Sequence, residues 1–459
     1  MRIEHDTLGE VKLPDKAYYG AQTQRAVENF PISGLRLPRR FIRAQGIVKL
    51  AAARANGSFG LLKKNQLTAI EKAALEVIEG MHDAHFVVDA YQAGAGTSQN
   101  MNANEVICNR AVEILKGKRG DHSKIHPNDH VNMAQSTNDT IPTSICISSF
   151  EALKEGLLPA LRSLKIVLSK KAKDFDRIVK AGRTHMQDAV PIRLGQEFSG
   201  YAEAVANDIK RIENASKSLL YIPIGGNAVG TGINAHPKFR QTVVREINKI
   251  TGIKFKSPAN RFEGIQNVNA ALEVSASLRG IAVTLTKISN DIRLLSSGPR
   301  TGFAEIILPA VQPGSSIMPG KVNPVMAEML NMICYQVMGN DTTITFAMQA
   351  GQLELNVMKP LIAYNLLTSI EILTNGVNAF NDKCLKGIKA DAKRCRELAD
   401  ATLAIATALN PVIGYEAAAA VSKEAYNTGK TVKQVVIEKG ILNKKDANRL
   451  LDPMKLTGK

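Results

Sequence analysis

The first forty residues mix short apolar runs with Gly9, Pro14, Gly20, Pro31 and Pro38, a punctuation that predicts short strands and loops. From about Arg40 the period changes. Phe41 to Ala55 and Asn65 to Met81 carry Ala, Ile, Val and Leu three and four residues apart, the mark of helices with a buried face. Segments 144–174, 190–220, 264–297, 325–349 and 354–382 extend that pattern with little internal Pro or Gly. Helices this long bury their stripes against one another, so the pattern predicts an all-α protein built around a bundle of long helices. Sustained strand alternation and any βαβ rhythm are absent from the sequence.

The chain has 459 residues, more than one hydrophobic core accommodates. We expect an N-terminal domain over 1–135, a central long-helix domain over 136–390 and a small C-terminal helical domain over 391–459. In the tail, Asn410-Pro411 is expected to end a helix, because the residue before proline avoids helical geometry. Thr431-Val432-Lys433-Gln434 reads as a capping box opening a helix that stops near Gly440. A helix-turn-helix is the alternative there; a plain helical subdomain is the simpler reading.

Between the long patterns lie polar stretches read as loops: Gly94–Asn102, Asn132–Thr140, Ala181–Asp188, Gly225–Asn234 and Gly314–Pro324. Polar loops on a rigid scaffold are where function concentrates. In Gly314–Pro324 two serines, Ser315 and Ser316, sit between Gly314 and Gly320, with Lys321 and Asn323 following. A cation and an amide donor suit an anionic ligand, and such groups are what lowers a serine's high pKa enough for base or nucleophile chemistry. A solvated glycine-rich connection is the other reading. Gly94-Ala95-Gly96-Thr97-Ser98 and Ser136-Thr137-Asn138-Asp139 offer hydroxyls and amides beside helix starts, good for binding carboxylates and equally good as helix caps. Gly182-Arg183-Thr184-His185 holds one of eight histidines. Gly225–Gly232 has dinucleotide-like glycines but no preceding strand within a βαβ unit, so that reading is rejected.

Composition narrows the partners. Hydrophobic residues are 44% and charged residues 22%, ordinary for a folded protein. The formal charge is +17, from 59 Lys+Arg against 42 Asp+Glu, which favours anionic partners. The basic residues are dispersed rather than gathered on one arm or helix, so no nucleic-acid partner is expected. Five cysteines without a CxxC pair point away from disulfides and from a zinc site. His122, His126 and His130 are spaced by four, but Pro127 interrupts a helix there, and no metal or other cofactor is expected. A charged N-terminus and no apolar run of about 20 residues predict no secretory signal and no membrane span. A cytoplasmic location follows from these expectations.

The string Gly314–Pro324 is similar to the serine-loop motif of the fumarase/aspartase superfamily. The other stretches resemble that superfamily's remaining motifs in order: Gly94–Asn102, Asn128–Thr140, and Gly182–Phe198 with Gly-Arg-Thr-His, Gln-Asp-Ala and Gly-Gln-Glu-Phe. The likeness runs over essentially the whole chain. Within the superfamily, His126-Pro127-Asn128-Asp129, Gly225-Gly226, Phe262-Glu263 and Lys359-Pro360 resemble class II fumarases. Ser136-Thr137-Asn138, Gly94–Ser98 and Gly351-Gln352-Leu353-Glu354 resemble aspartases.

The resemblance implies the superfamily's fold, with a bundle of long helices flanked by smaller terminal domains. It also implies a homotetramer whose active sites are each shared by three subunits. The implied reaction is the cofactor-free, reversible hydration of fumarate to (S)-malate, a tricarboxylic acid cycle step, through an aci-carboxylate intermediate. By the same resemblance Ser315 is the general base, and Lys321 and Asn323 hold the charged carboxylate. Thr97, Ser136, Thr137, Asn138 and Ser316 bind substrate, and His185, paired with Glu328, acts with Thr184. His126, Asn128 and Asp129 form an accessory dicarboxylate site. Two alternatives stand beside this reading: an aspartate ammonia-lyase on the same fold, and a protein without catalysis, either a scaffold or a basic nucleic-acid binder.

Overall fold

The computed structural model describes residues 1–458 and is built almost wholly of helices, as the apolar periodicity predicts. By backbone contacts the chain divides into two units. One comprises Met1–Pro159, Lys210–Gly280 and Tyr335–Leu373; the other comprises Ala160–Ile209, Ile281–Cys334 and everything from Thr374 onward.

The first unit opens with a hairpin of β1 (Arg2–Asp6) and β2 (Gly9–Leu13), followed by α1 (Ala21–Asn29). The strands were expected; α1 was not, because a helix this short carries too few apolar positions to show a period. Next come α2 (Arg39–Ser58), α3 (Lys64–Ile78), α4 (Thr97–Ile114) and α5 (Thr137–Ala152). Helix α2 is buried nearly all round and packs against α3, α5 and, later in the chain, α8 (Phe239–Thr251). Ile47, Leu50, Ile70, Val106, Ile107 and Ile145 form part of this interior. Lys49 lies among them in α2 with 1% of its surface exposed.

Four long helices follow further along, after α6 (Leu158–Asp174) and with the short α9 (Arg261–Gln266) among them: α7 (Leu194–Ser216, 23 residues), α10 (Asn269–Leu295, 27), α11 (Val325–Gln349, 25) and α12 (Lys359–Lys383, 25). Each contributes one stretch to each unit. Polar links tie them within the units. In the first, Ser275 of α10 donates to Asp341 of α11 at 2.7 Å and Asn340 of α11 donates to Ser369 of α12 at 2.9 Å. In the second, Asn331 donates to Asn290 at 2.8 Å and Tyr201 to Asp291 at 2.8 Å.

The second unit holds an element that the periodicity did not reveal. Val179–Thr184 (β3) and Gln187–Arg193 (β4) form an antiparallel hairpin, so the stretch read as a loop from Ala181 and as a helix from 190 is β-structure up to Leu194. Two features hide it. Val179, Lys180, Ala181 and Gly182 are all buried, so no in–out alternation exists, and a bulge between Ala181 and Gly182 shifts the register. In its two-residue turn, His185 and Met186 take φ of 54° and 61° where Asn-Gly is usual. Met186→Gly should therefore stabilise the hairpin by about 0.5–1 kcal/mol, read as a higher denaturant midpoint.

The tail keeps a core of its own: Ile405, Leu409, Val421, Ala425, Val432, Val435, Val436 and Leu451. Thr431 and Gln434 form the expected capping box, opening a helix over Val432–Glu438 that stops before Gly440. Asn410-Pro411 does not end a long helix. It opens a single turn, Asn410–Ile413, where proline's missing N–H costs nothing.

Candidate active site

The sequence-predicted residues fall into two groups. Thr97, Ser136, Thr137 and Asn138 stand in the first unit; Thr184, His185, Ser315, Ser316, Lys321, Asn323 and Glu328 stand in the second.

In the first unit, helix α4 starts at Thr97 after two residues of positive φ, Ala95 at 60° and Gly96 at 89°. A Cβ on Gly96 would come within 3.0 Å of Ile141, so only glycine lets this turn settle against α5. The Ala95 N–H donates to the carbonyl of Val357 at 2.7 Å. Thr97 is exposed at the turn's end. Ser136 caps α5: its Oγ accepts from the N–H of Asn138 at 3.2 Å, and its own N–H donates to Asp139 at 3.0 Å. Asn138 donates its side-chain amide to the carbonyl of Ala228 at 2.8 Å.

Behind these hydroxyls lies a buried polar layer that the sequence reading did not single out. The Lys49 ammonium donates to the side-chain oxygens of Asn100, Asn132 and Gln135 at 2.8, 2.9 and 3.0 Å. Asn100 in turn donates to Thr137 Oγ1 at 3.2 Å. Burial pulls the Lys49 ammonium down to about 7, with nearby Asp139 opposing. Asp139 is fully buried and accepts N–H bonds from Ser136 (3.0 Å), Gly225 (3.0 Å) and Asn227 (2.8 Å). Burial pushes its carboxyl up to about 6, against those donors and Lys49. Lys359, the first residue of α12, donates to the carbonyls of Asn138 at 3.2 Å and Ile265 at 3.1 Å. One signal for Lys49 was available: a lone lysine inside an otherwise apolar helical run, Ile47-Val48-Lys49-Leu50-Ala51.

In the second unit the serine loop closes on itself. The Gly314 N–H donates to the Lys321 carbonyl at 2.7 Å, and Asn323 Nδ2 donates to the Gly314 carbonyl at 2.6 Å. A Cβ on Gly314 would lie 2.6 Å from that Lys321 oxygen, so the closure requires glycine. Ser315 Oγ accepts two backbone N–H bonds, from Ile317 at 3.2 Å and Met318 at 2.8 Å. Donors aimed at a hydroxyl oxygen favour its deprotonated form. Ser316 and Lys321 are exposed beside it. Thr184 and His185 are exposed at the end and turn of the β3–β4 hairpin. Arg183 is held instead by Glu305 at 2.9 Å, and Glu305 is fully buried. Within one chain, and among the described residues, His185 and Glu328 share no hydrogen bond or ion pair.

The proposed accessory residues lie in the first unit. His126 Nδ1 accepts from the N–H groups of Asn128 and Asp129 at 3.2 Å each, on a single π-type turn over Pro127–Val131. His126 and Asn128 line a cavity of about 290 Å³ with His5, His122, Gln22 and Glu105. Asp129 is exposed beside it, 3.4 Å from His126. Glu105, pushed up to about 7 by burial, is committed to the N–H groups of Gly20, Gln22 and Thr23 at 2.8–3.1 Å.

Residues 9–339 match the family described as Lyase, and residues 405–458 match the one described as Fumarase C C-terminus. The chain belongs to the fumarase/aspartase superfamily of lyases. It is 49% identical over 457 residues to an aspartate ammonia-lyase of a Bacillus species, covering 100% of this chain and 97% of that one. It is 50% identical over 456 residues to a class II fumarate hydratase of Halobacterium salinarum, covering 99% and 97%. A solved fumarate lyase:delta crystallin of Brucella melitensis superposes with a TM-score of 0.96 at 46% identity, covering 100% of both chains. The superfamily's polar stretches thus coincide with helix N-termini, one hairpin turn and one self-closed loop in this chain.

Proposed function

We propose that this lyase interconverts fumarate and (S)-malate without a cofactor. The serine loop carries the reading: Ser315 Oγ sits under two amide N–H groups, with the Lys321 backbone and the Asn323 side chain tied into the same loop closure. Ser315 removes the proton from the carbon beside one carboxylate, and Lys321 and Asn323 stabilise the aci-carboxylate that forms. Thr97, Ser136, Thr137, Asn138 and Ser316 hold the substrate's carboxylates and leaving group, while His185 and Thr184 orient substrate or a relay water, with Glu328 supporting His185. His126, Asn128 and Asp129 serve as an accessory dicarboxylate site. A second reading, elimination of ammonia from aspartate by the same base, is favoured by the 49% identity to a relative bearing that name. Incubating the purified protein with fumarate and an ammonium salt decides between them. Malate without aspartate is the expected product; aspartate as the main product transfers the assignment to the ammonia-lyase reading.

We further propose a cytoplasmic homotetramer, with each active site completed by three subunits, and a place in the tricarboxylic acid cycle. No helix among the described residues is long and apolar enough to cross a membrane. Helix α11 exposes Met332 (69%), Tyr335 (56%) and Phe346 (60%), large apolar groups that a bundle of several chains would cover. Replacing Met332 and Tyr335 together with Asp should dissociate the assembly and abolish turnover, read by light scattering and a fumarate assay.

A further inference from the structure

Lys359 is placed where a charge is unfavourable three times over. It is 0% exposed, so its ammonium is stripped of water. It is the first residue of a 25-residue helix, at the positive end of the helix dipole. Its two hydrogen bonds go to the carbonyl oxygens of Asn138 and Ile265, not to a carboxylate. Lys49, 1% exposed, is held likewise, by three neutral amide oxygens. Asp139 is the buried carboxylate of this layer, and it is taken up by the N–H groups of Ser136, Gly225 and Asn227. Two ammonium groups therefore face one carboxylate behind the turn formed by Ser136, Thr137 and Asn138. Burial makes the charge costly: it pulls the Lys359 ammonium down to about 8, with only Asp139 opposing. A ligand anion on the far side of the turn would relieve it.

We propose that Lys359 is a positioning and charge-selecting residue: it pins the Asn138 carbonyl and, through its buried charge, makes the Ser136–Asn138 turn prefer a ligand of two net negative charges over one of a single net charge. The inference deepens the proposed function and rests on its reading of this turn as the dicarboxylate binder. Fumarate and a 2-hydroxy dicarboxylate carry two net charges at neutral pH; a 2-ammonio dicarboxylate carries one. The same ammonium that stabilises the turn thus discriminates between the hydroxy and the amino substrate.

The test uses two unreactive ligands of similar shape, succinate with two charges and succinamate with one, bound to the full-length protein and followed by calorimetry. Lys359→Gln keeps a donor for the two carbonyls and removes the charge. It should weaken succinamate about tenfold, the size of one charge–charge interaction over roughly 10 Å at an effective dielectric near 20, and weaken succinate, with two such charges, by about a further tenfold. Lys359→Arg keeps the charge and should retain the wild-type preference. Equal losses for both ligands in Lys359→Gln, or an unchanged preference there, overturn the proposal, as does loss of the preference in a folded Lys359→Arg protein. Wild-type protein that binds neither ligand refutes the dicarboxylate reading itself, whereas succinate binding that ignores Lys359 refutes the role of Lys359 alone.

Discussion

Replacing Ser315 with alanine should lower turnover by ~10²–10⁴-fold, the usual worth of a positioned acid or base, while leaving the fold intact. The geometry separates the two effects. The N–H groups of Ile317 and Met318 that point at Oγ lie on exposed residues, so water replaces the lost acceptor at little cost. The loop stays closed through Gly314, Lys321 and Asn323, none of which uses the Ser315 side chain. The loss should therefore appear in the rate of fumarate formation and not in the thermal unfolding curve. Ser316→Ala is the control. Among the described residues Ser316 accepts no comparable pair of N–H bonds, so its replacement should act mainly on KM. Near-normal turnover in the Ser315 variant would refute the base assignment and return attention to His185.

The serine loop was legible in the sequence because its signal is local. Two glycines, two serines, a lysine and an asparagine within eleven residues make one closed loop, and the loop is where the sequence put it. The long helices were legible for the same reason, since a period of 3.6 survives over 25 residues whatever they pack against. What remained hidden depends on partners far apart in the chain. Lys49 meets Gln135 across 86 residues, and Lys359 meets Asn138 across 221. No window of sequence contains either pair. The β3–β4 hairpin was hidden differently. Burial on both faces erased its alternation, and His185-Met186 occupy a turn for which glycine or asparagine is the usual sign. The stretches 94–102 and 132–140 read as loops because their serines, threonines and asparagines are turn formers. The structure uses those residues to start α4 and α5.

Asp139→Ala should destabilise the fold strongly, by about 3–5 kcal/mol, because it strands several buried donors at once. Ser136, Gly225 and Asn227 all direct N–H groups at this carboxylate, and Asp139 is 0% exposed, so water does not replace it. The same three bonds hold the Ser136–Asn138 turn beside the 225–227 segment. Loss of stability and loss of kcat/KM should therefore arrive together, unlike the Ser315 case. Asp139→Asn isolates the charge. Its amide oxygen still serves Gly225 and Asn227, which share Oδ2, while its amide nitrogen meets the Ser136 N–H, a mismatch of about 1–2 kcal/mol. The pH dependence then separates this mismatch from ionisation. Burial raises the carboxyl from 3.8 to about 6, so the folded chain holds this proton more tightly than the unfolded chain. Its contribution is fully present below 3.8 and is lost as pH rises through 6; the gap corresponds to roughly 3 kcal/mol. Wild-type protein should gain on Asp139→Asn by about 2–2.5 kcal/mol, most of that amount, between pH 7 and pH 4 in paired denaturant titrations. A constant difference would mean that Asp139 stays ionised throughout, held by its three N–H donors and the ammonium of Lys49.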